Sequence, residues 1–170
     1  MSGRPAVTDQ GLHSVYRTAT PGRNRTPLST DTARLSSCVL AETPPHAVMH
    51  VWDPAHVTPP YTYTIGLADR PGRAYELAVS GLPYPLADDV LDCAMAQLEE
   101  DDLTPVDGLL LDRVLRGHLA RLRPVTDTGR FRGLAPATPL WQVLMPDHAG
   151  RFPGEDHYVQ GDSRDTQLVL

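Results

Sequence analysis

The chain contains no lysine: all 15 of its basic residues are arginine. That excludes a lysine Schiff base, a Walker-type phosphate lysine and any lysine general base. Cysteine is nearly absent as well. Cys38 and Cys93 are the only two; they lie far apart and match no metal or redox spacing. Both are expected to be reduced and at least partly buried, since a nucleophilic thiol would need a nearby base. Also missing are a Gly-X-Ser-X-Gly elbow and a Gly-rich phosphate loop between a strand and a helix. No run approaches the roughly 18 apolar residues of a membrane span. The N-terminus shows no apolar leader core, so a cytoplasmic protein is expected. A net charge of -6 opposes binding to nucleic acid, whose affinity rests mainly on phosphate neutralisation.

What is present fits one domain. The chain has 170 residues, 41% of them hydrophobic, enough to bury a core. With 17 Pro and 13 Gly, its arginine-only basicity matches GC-rich bacterial coding. Residues 1–34 are rich in Pro, Gly, Ser, Thr and Arg, with little apolar periodicity, and read as a flexible N-terminal arm. Residues 35–160 read as the folded domain, and 161–170 as a frayed C-terminal tail.

Alternation marks the strands. His46, Val48, His50 and Trp52 share one face of a strand over 46–52, and Ala47, Met49 and Val51 the other. A second strand runs over 61–67, turn chemistry occupies Asp69-Arg70-Pro71-Gly72, and a third strand covers 75–80. Residues 86–100 are the main helix: Leu86, Val90, Leu91, Ala94 and Leu98 form an apolar stripe, with Asp88 and Asp89 expected in its first turn. Leu109–Leu115 is ambiguous, and 119–125 and 140–145 are further strands. The expected fold is a single α+β domain, a twisted antiparallel sheet of five or six strands with one main helix packed on a face.

Three ordered segments carry a family resemblance: PYTYTIGL, YELAVSGLP and WQVLMPDHAGRFP. The matching residues are Tyr63, Thr64, Gly66 and Leu67; Glu76, Leu77, Gly81, Leu82 and Pro83; and Gln142, Pro146, Asp147, Gly150, Arg151, Phe152 and Pro153. In these the chain resembles the bacterial domain-of-unknown-function family 4262 over roughly residues 36–158. The resemblance implies a bacterial protein and brings no chemistry with it. Two departures stand out. Ala74 and Tyr75 replace the His-Pro pair usual before the Glu-Leu, and Gly154 replaces a frequent tryptophan.

Candidate chemistry rests on a few residues. Glu76 lies in an apolar strand; exposed, it is a surface carboxylate, and buried it is a general acid or base. With His50 and Tyr63 it forms the expected catalytic set. Ligand-binding candidates are Trp52, Thr64, Arg121, Arg123, Trp141, Gln142, Asp147 and Arg151. Arg121 and Arg123 share a strand face and suit a carboxylate or phosphate; Asp147 also suits a structural role, capping the turn at 146–150. No metal site is expected, because His46 and His50 would sit about 13 Å apart on a strand. No cofactor is expected either. The leading expectation is a small bacterial protein that binds an organic small molecule, either as a binder alone or as a cofactor-independent acid–base enzyme in specialised metabolism. The alternatives are an immunity-like or regulatory interaction module using the acidic face of 88–102, and a histidine-based metalloenzyme. Its partner is a small molecule, with neither nucleic acid nor membrane, and a homodimer is compatible with the chain.

Overall fold

The computed structural model describes residues 13–18 as backbone, and residues 46–55, 57–159 and 167–170 in full. Among these residues the order is β1 (His13–Thr18), β2 (Ala47–Trp52), β3 (Tyr61–Ile65), β4 (Glu76–Ser80), α1 (Tyr84–Glu100), β5 (Leu110–Leu115), β6 (His118–Pro124) and β7 (Leu140–Leu144). The strands form one seven-stranded sheet in the order β1-β2-β3-β4-β7-β6-β5. This is the expected α+β architecture, one helix on a mostly antiparallel sheet. Strand β1 falls inside the stretch read as an arm and pairs antiparallel with β2.

One pair is parallel. After β4 the chain crosses through α1 to the far edge, lays down β5, and returns inward through β6 to β7. That path sets β7 beside β4, with Glu76 opposite Leu140 and Ala78 opposite Gln142. A crossover helix is what a parallel neighbour requires.

The helix starts at Tyr84 because Pro83, at φ -63° and ψ 147°, holds the N-cap extended and a proline follows at the start of the helix. Proline is tolerated there, where its missing N–H has no intrahelical partner anyway. The start is therefore two residues earlier than the apolar stripe implied. Asp88 and Asp89 fall beyond the first turn, which holds no acidic residue.

Strand alternation splits the core in two. Val48, Leu77 and Val79 pack with Val90, Leu91, Met95 and Leu98 of α1 on one face. Met49, Val51, Tyr63, Ala78 and Leu140 pack with Val125 and Phe131 on the other, where Leu134 and Leu170 also close in. Each fully buried Leu or Met contributes roughly 1.5–3 kcal/mol by leaving water. Cys93 is buried and disulfide-bonded, which corrects the expectation of a reduced thiol there; Cys38 lies outside the described residues.

The last four residues do not fray. Gln167 is buried, and the 167–170 segment is hydrogen-bonded to β7, β4 and Met145. The rest of the 161–170 tail lies outside the described residues.

Candidate functional site

At the α1 N-terminal end of the helix-covered face, strand register sets His50 opposite Thr62. The His50 Nδ1 lies 2.6 Å from Thr62 Oγ1, which fixes the ring and leaves Nε2 for other chemistry. The ring stacks on Trp52 at 5.8 Å and 27° and meets Tyr84 edge-on at 5.2 Å and 67°. Trp52 arrives by the two-residue repeat of the strand. Tyr84 arrives because α1 begins directly above this corner. Burial lowers the His50 pKa below its ordinary value, so the imidazole is neutral at pH 7. Trp52 and Tyr84 are half-buried, and the following segment is open, with Val57 79% exposed. There Asp53 collects the backbone N–H groups of Ala55, Val57 and Thr58.

A second polar cluster lies under the C-terminal half of α1. Arg70, 7% exposed, donates to His46 Nδ1 and to Glu99 Oε1, both at 2.8 Å. Arg73 Nε lies 3.9 Å from the same Glu99 oxygen. Because an arginine only donates, His46 Nδ1 accepts and its ring proton resides on Nε2. That nitrogen and the Tyr75 hydroxyl are enclosed, with no hydrogen-bond partner among the described residues. Burial, and then the Arg70 charge, push the His46 pKa down to about 4. Burial, the largest influence, pushes the Tyr75 phenol up.

Glu76 is buried, 3% exposed, so the surface-carboxylate reading does not hold. Its carboxylate accepts from Thr64 Oγ1 at 2.5 Å, Gly66 N at 2.8 Å and Ala68 N at 3.0 Å. These bonds fasten the turn that follows β3, where Gly66 takes φ +89°, a conformation costly for residues with a Cβ. Tyr63 sits on the face of the sheet opposite His50. There its hydroxyl donates to the Arg132 carbonyl at 2.8 Å, and its ring meets Phe131 edge-on at 5.1 Å. Glu76, His50 and Tyr63 therefore do not converge on one point. Glu76 is brought to Thr64, and His50 to Trp52.

The remaining candidates scatter. Arg121 pairs with Glu155 at 2.7 Å and covers the Phe152 ring at 3.9 Å. Arg123 approaches Gly154, where an added Cβ would meet its Nη1 at 3.6 Å. Trp141 packs, half-buried, against the helix-side core. Gln142 is fully buried and faces the 168–170 backbone. Asp147 accepts from the N–H groups of Ala149, Arg151 and Val159 and pairs with Arg151 Nε at 3.0 Å. Desolvation raises its pKa, but those backbone bonds and the Arg151 charge outweigh it and hold the carboxyl below its usual range. Arg113 reaches Glu100 and Asp101 at 2.6 Å each. Among the described residues no group of three His, Cys, Asp or Glu side chains is arranged to hold a metal, and no helix is long and apolar enough to cross a membrane. His56 lies outside the described residues.

Sequence reasoning missed Arg70, Thr62 and Gln167. Arg70 carried only the signal of a turn residue. Thr62 was legible in principle, as the β3 residue facing the same side as His50.

A model of the family described as "Domain of unknown function (DUF4262)" matches residues 41–159, and the chain belongs to that family. No curated protein and no solved structure matches it.

Proposed function

We propose that this member of the family binds a small organic molecule at the corner formed by His50, Trp52 and Tyr84, with His50 as its acid–base group. The observation behind this reading is an imidazole anchored through Nδ1 to Thr62 and walled by two half-buried aromatic rings. Binding sites combine apolar aromatic walls with a few oriented polar groups, and the flat faces of Trp52 and Tyr84 suit a planar ligand. A neutral imidazole accepts a proton as general base, and the imidazolium so formed returns it as general acid. The interaction-module alternative receives less support. Glu99, Glu100 and Asp101 of the acidic stretch are already engaged by Arg70 and Arg113.

The test uses a Trp141→Phe variant, which leaves Trp52 as the sole indole. Its fluorescence is titrated with a panel of aromatic and heteroaromatic acids, amides and alcohols. We expect a saturable change with one class, weakened roughly tenfold or more by His50→Gln. A flat response across the panel, together with a native mass equal to the denatured mass of freshly purified protein, overturns the reading.

A further inference from the structure

On the face opposite α1, buried Gln142 holds residues 168–170 by their backbone, and buried Gln167 ties the segment to β7 and Met145 by its side chain. Gln142 donates through Nε2 to the Leu168 carbonyl at 2.5 Å and accepts the Leu170 N–H at 2.8 Å through Oε1. Ser80 Oγ donates to the same Leu168 carbonyl at 2.7 Å and accepts from Gln142 Nε2 at 3.1 Å. The Gln167 side chain takes part from the segment itself. It accepts the Met145 N–H at 2.8 Å and donates to the Val143 carbonyl at 3.1 Å, imitating a peptide unit of a neighbouring strand. The β4 partner of β7 ends at Gln142, so those backbone groups lie past that pairing.

Three features mark this arrangement as a recognition slot. Its polar groups are buried, with Gln142 0% and Ser80 1% exposed, and lifting the segment would take the Leu170 N–H from Gln142 Oε1 and the Gln167 side-chain carbonyl from the Met145 N–H, which is costly. Gln142 and Ser80 bond only main-chain atoms of the segment, so they read an extended peptide, not one sequence, as in strand-addition recognition. The occupant's aliphatic side chains add little to its hold: Leu168 and Val169 are 37% and 40% exposed, and Leu170 packs only partly into the core. Locally exposed segments of this kind open at lower free energy than the core. Moreover, Ser80, Gln142, Val143 and Met145 lie within the family-matched residues 41–159, whereas the occupant lies outside them.

We propose that the slot formed by Ser80, Gln142, Val143 and Met145 is a peptide-backbone binding site, occupied in cis by residues 167–170. When that segment lifts, the slot accepts in trans an extended peptide of the same chemistry, a glutamine followed by aliphatic residues. The segment is thus a built-in competitor for the site. This site lies on the face opposite His50 and stands independently of the small-molecule reading.

The test compares the full chain with a chain ending at residue 166, using N-acetylated Gln-Leu-Val-Leu with a fluorescent tag as the probe. The shortened chain, checked for folding by circular dichroism, is expected to bind the probe saturably. The full chain is expected to bind it at least tenfold more weakly, and Gln142→Ala in the shortened chain to weaken it roughly tenfold or more. A folded shortened chain that ignores the probe overturns the proposal, as does binding that is indifferent to Gln142. Should shortening unfold the protein, a nitroxide-labelled probe in excess over the full chain replaces it. Selective broadening of the Ser80, Gln142 and Met145 amide signals supports exchange at the slot, and its absence overturns it.

Discussion

Thr64 and Glu76 share one hydroxyl between two jobs. Thr64 Oγ1 donates to Glu76 Oε2 at 2.5 Å and accepts the Leu77 N–H at 2.9 Å. The same carboxylate, through Oε1, holds Gly66 N and Ala68 N. A threonine on β3 therefore fixes both the β4 backbone and the acid that closes the β3 turn. The bonds that Glu76 accepts from Thr64, Gly66 and Ala68 all tie it to its own fold.

Thr64→Val keeps the shape and removes both bonds. The Leu77 N–H then lies buried without an acceptor, and the Glu76 carboxylate loses its hydroxyl donor. The expected loss is about 1–3 kcal/mol in urea unfolding, with Thr64→Ser close to wild type. If Thr64→Val unfolds at the wild-type midpoint, the hydroxyl has no structural role.

Glu99→Gln leaves the Arg70 guanidinium enclosed beside a neutral amide. Removing one partner of a buried ion pair is strongly destabilising, here by about 3 kcal/mol. Glu100→Gln is the comparison: its partner Arg113 is 40% exposed and Glu100 54%, and water screens such pairs. Its unfolding midpoint should stay at the wild-type value. Equal effects of the two substitutions would mean that Arg70 is better solvated than its surroundings imply.

Stability should fall with acid through the His46 window. In the folded chain His46 takes a proton only near pH 4, against 6.5 for a free side chain. Between those values the unfolded chain binds the proton and the folded chain does not, so acid favours unfolding. The His46 contribution is therefore fully present above pH 6.5 and is lost as pH falls toward 4. His50 titrates in the same sense, so the informative quantity is wild type minus His46→Gln. That difference should vary between pH 6.5 and 4 and level off above. A difference flat across the window would mean that His46 protonates freely in the folded state.

Much of the fold was legible in the chain. Period-two alternation located β2, β3 and β4, and the Leu86–Leu98 stripe located α1, because both patterns are local consequences of backbone geometry. The site was legible only in fragments. His50 and Trp52 were correctly set on one face, since two residues along a strand must share it. Asp147 as a turn cap also followed from local spacing, and its three backbone bonds bear that out. For Glu76 the chain left surface and interior both open. Its burial depends on donors from Thr64, Gly66 and Ala68 that reach it only when β3 pairs with β4.

The sequence by itself determined the family, the element types and which side chains share a strand face, since each is written in neighbours a few residues apart. It also excluded lysine chemistry, by composition alone. The tertiary structure decided the rest. The crossover through α1 made β4 and β7 parallel neighbours, which no periodicity encodes. Pairing across strands carried Glu76 inward, set Thr62 against His50, and drew Gln142 onto a segment 26 residues further along the chain. Those contacts join residues distant in sequence, and only closing the sheet brings them within hydrogen-bond reach.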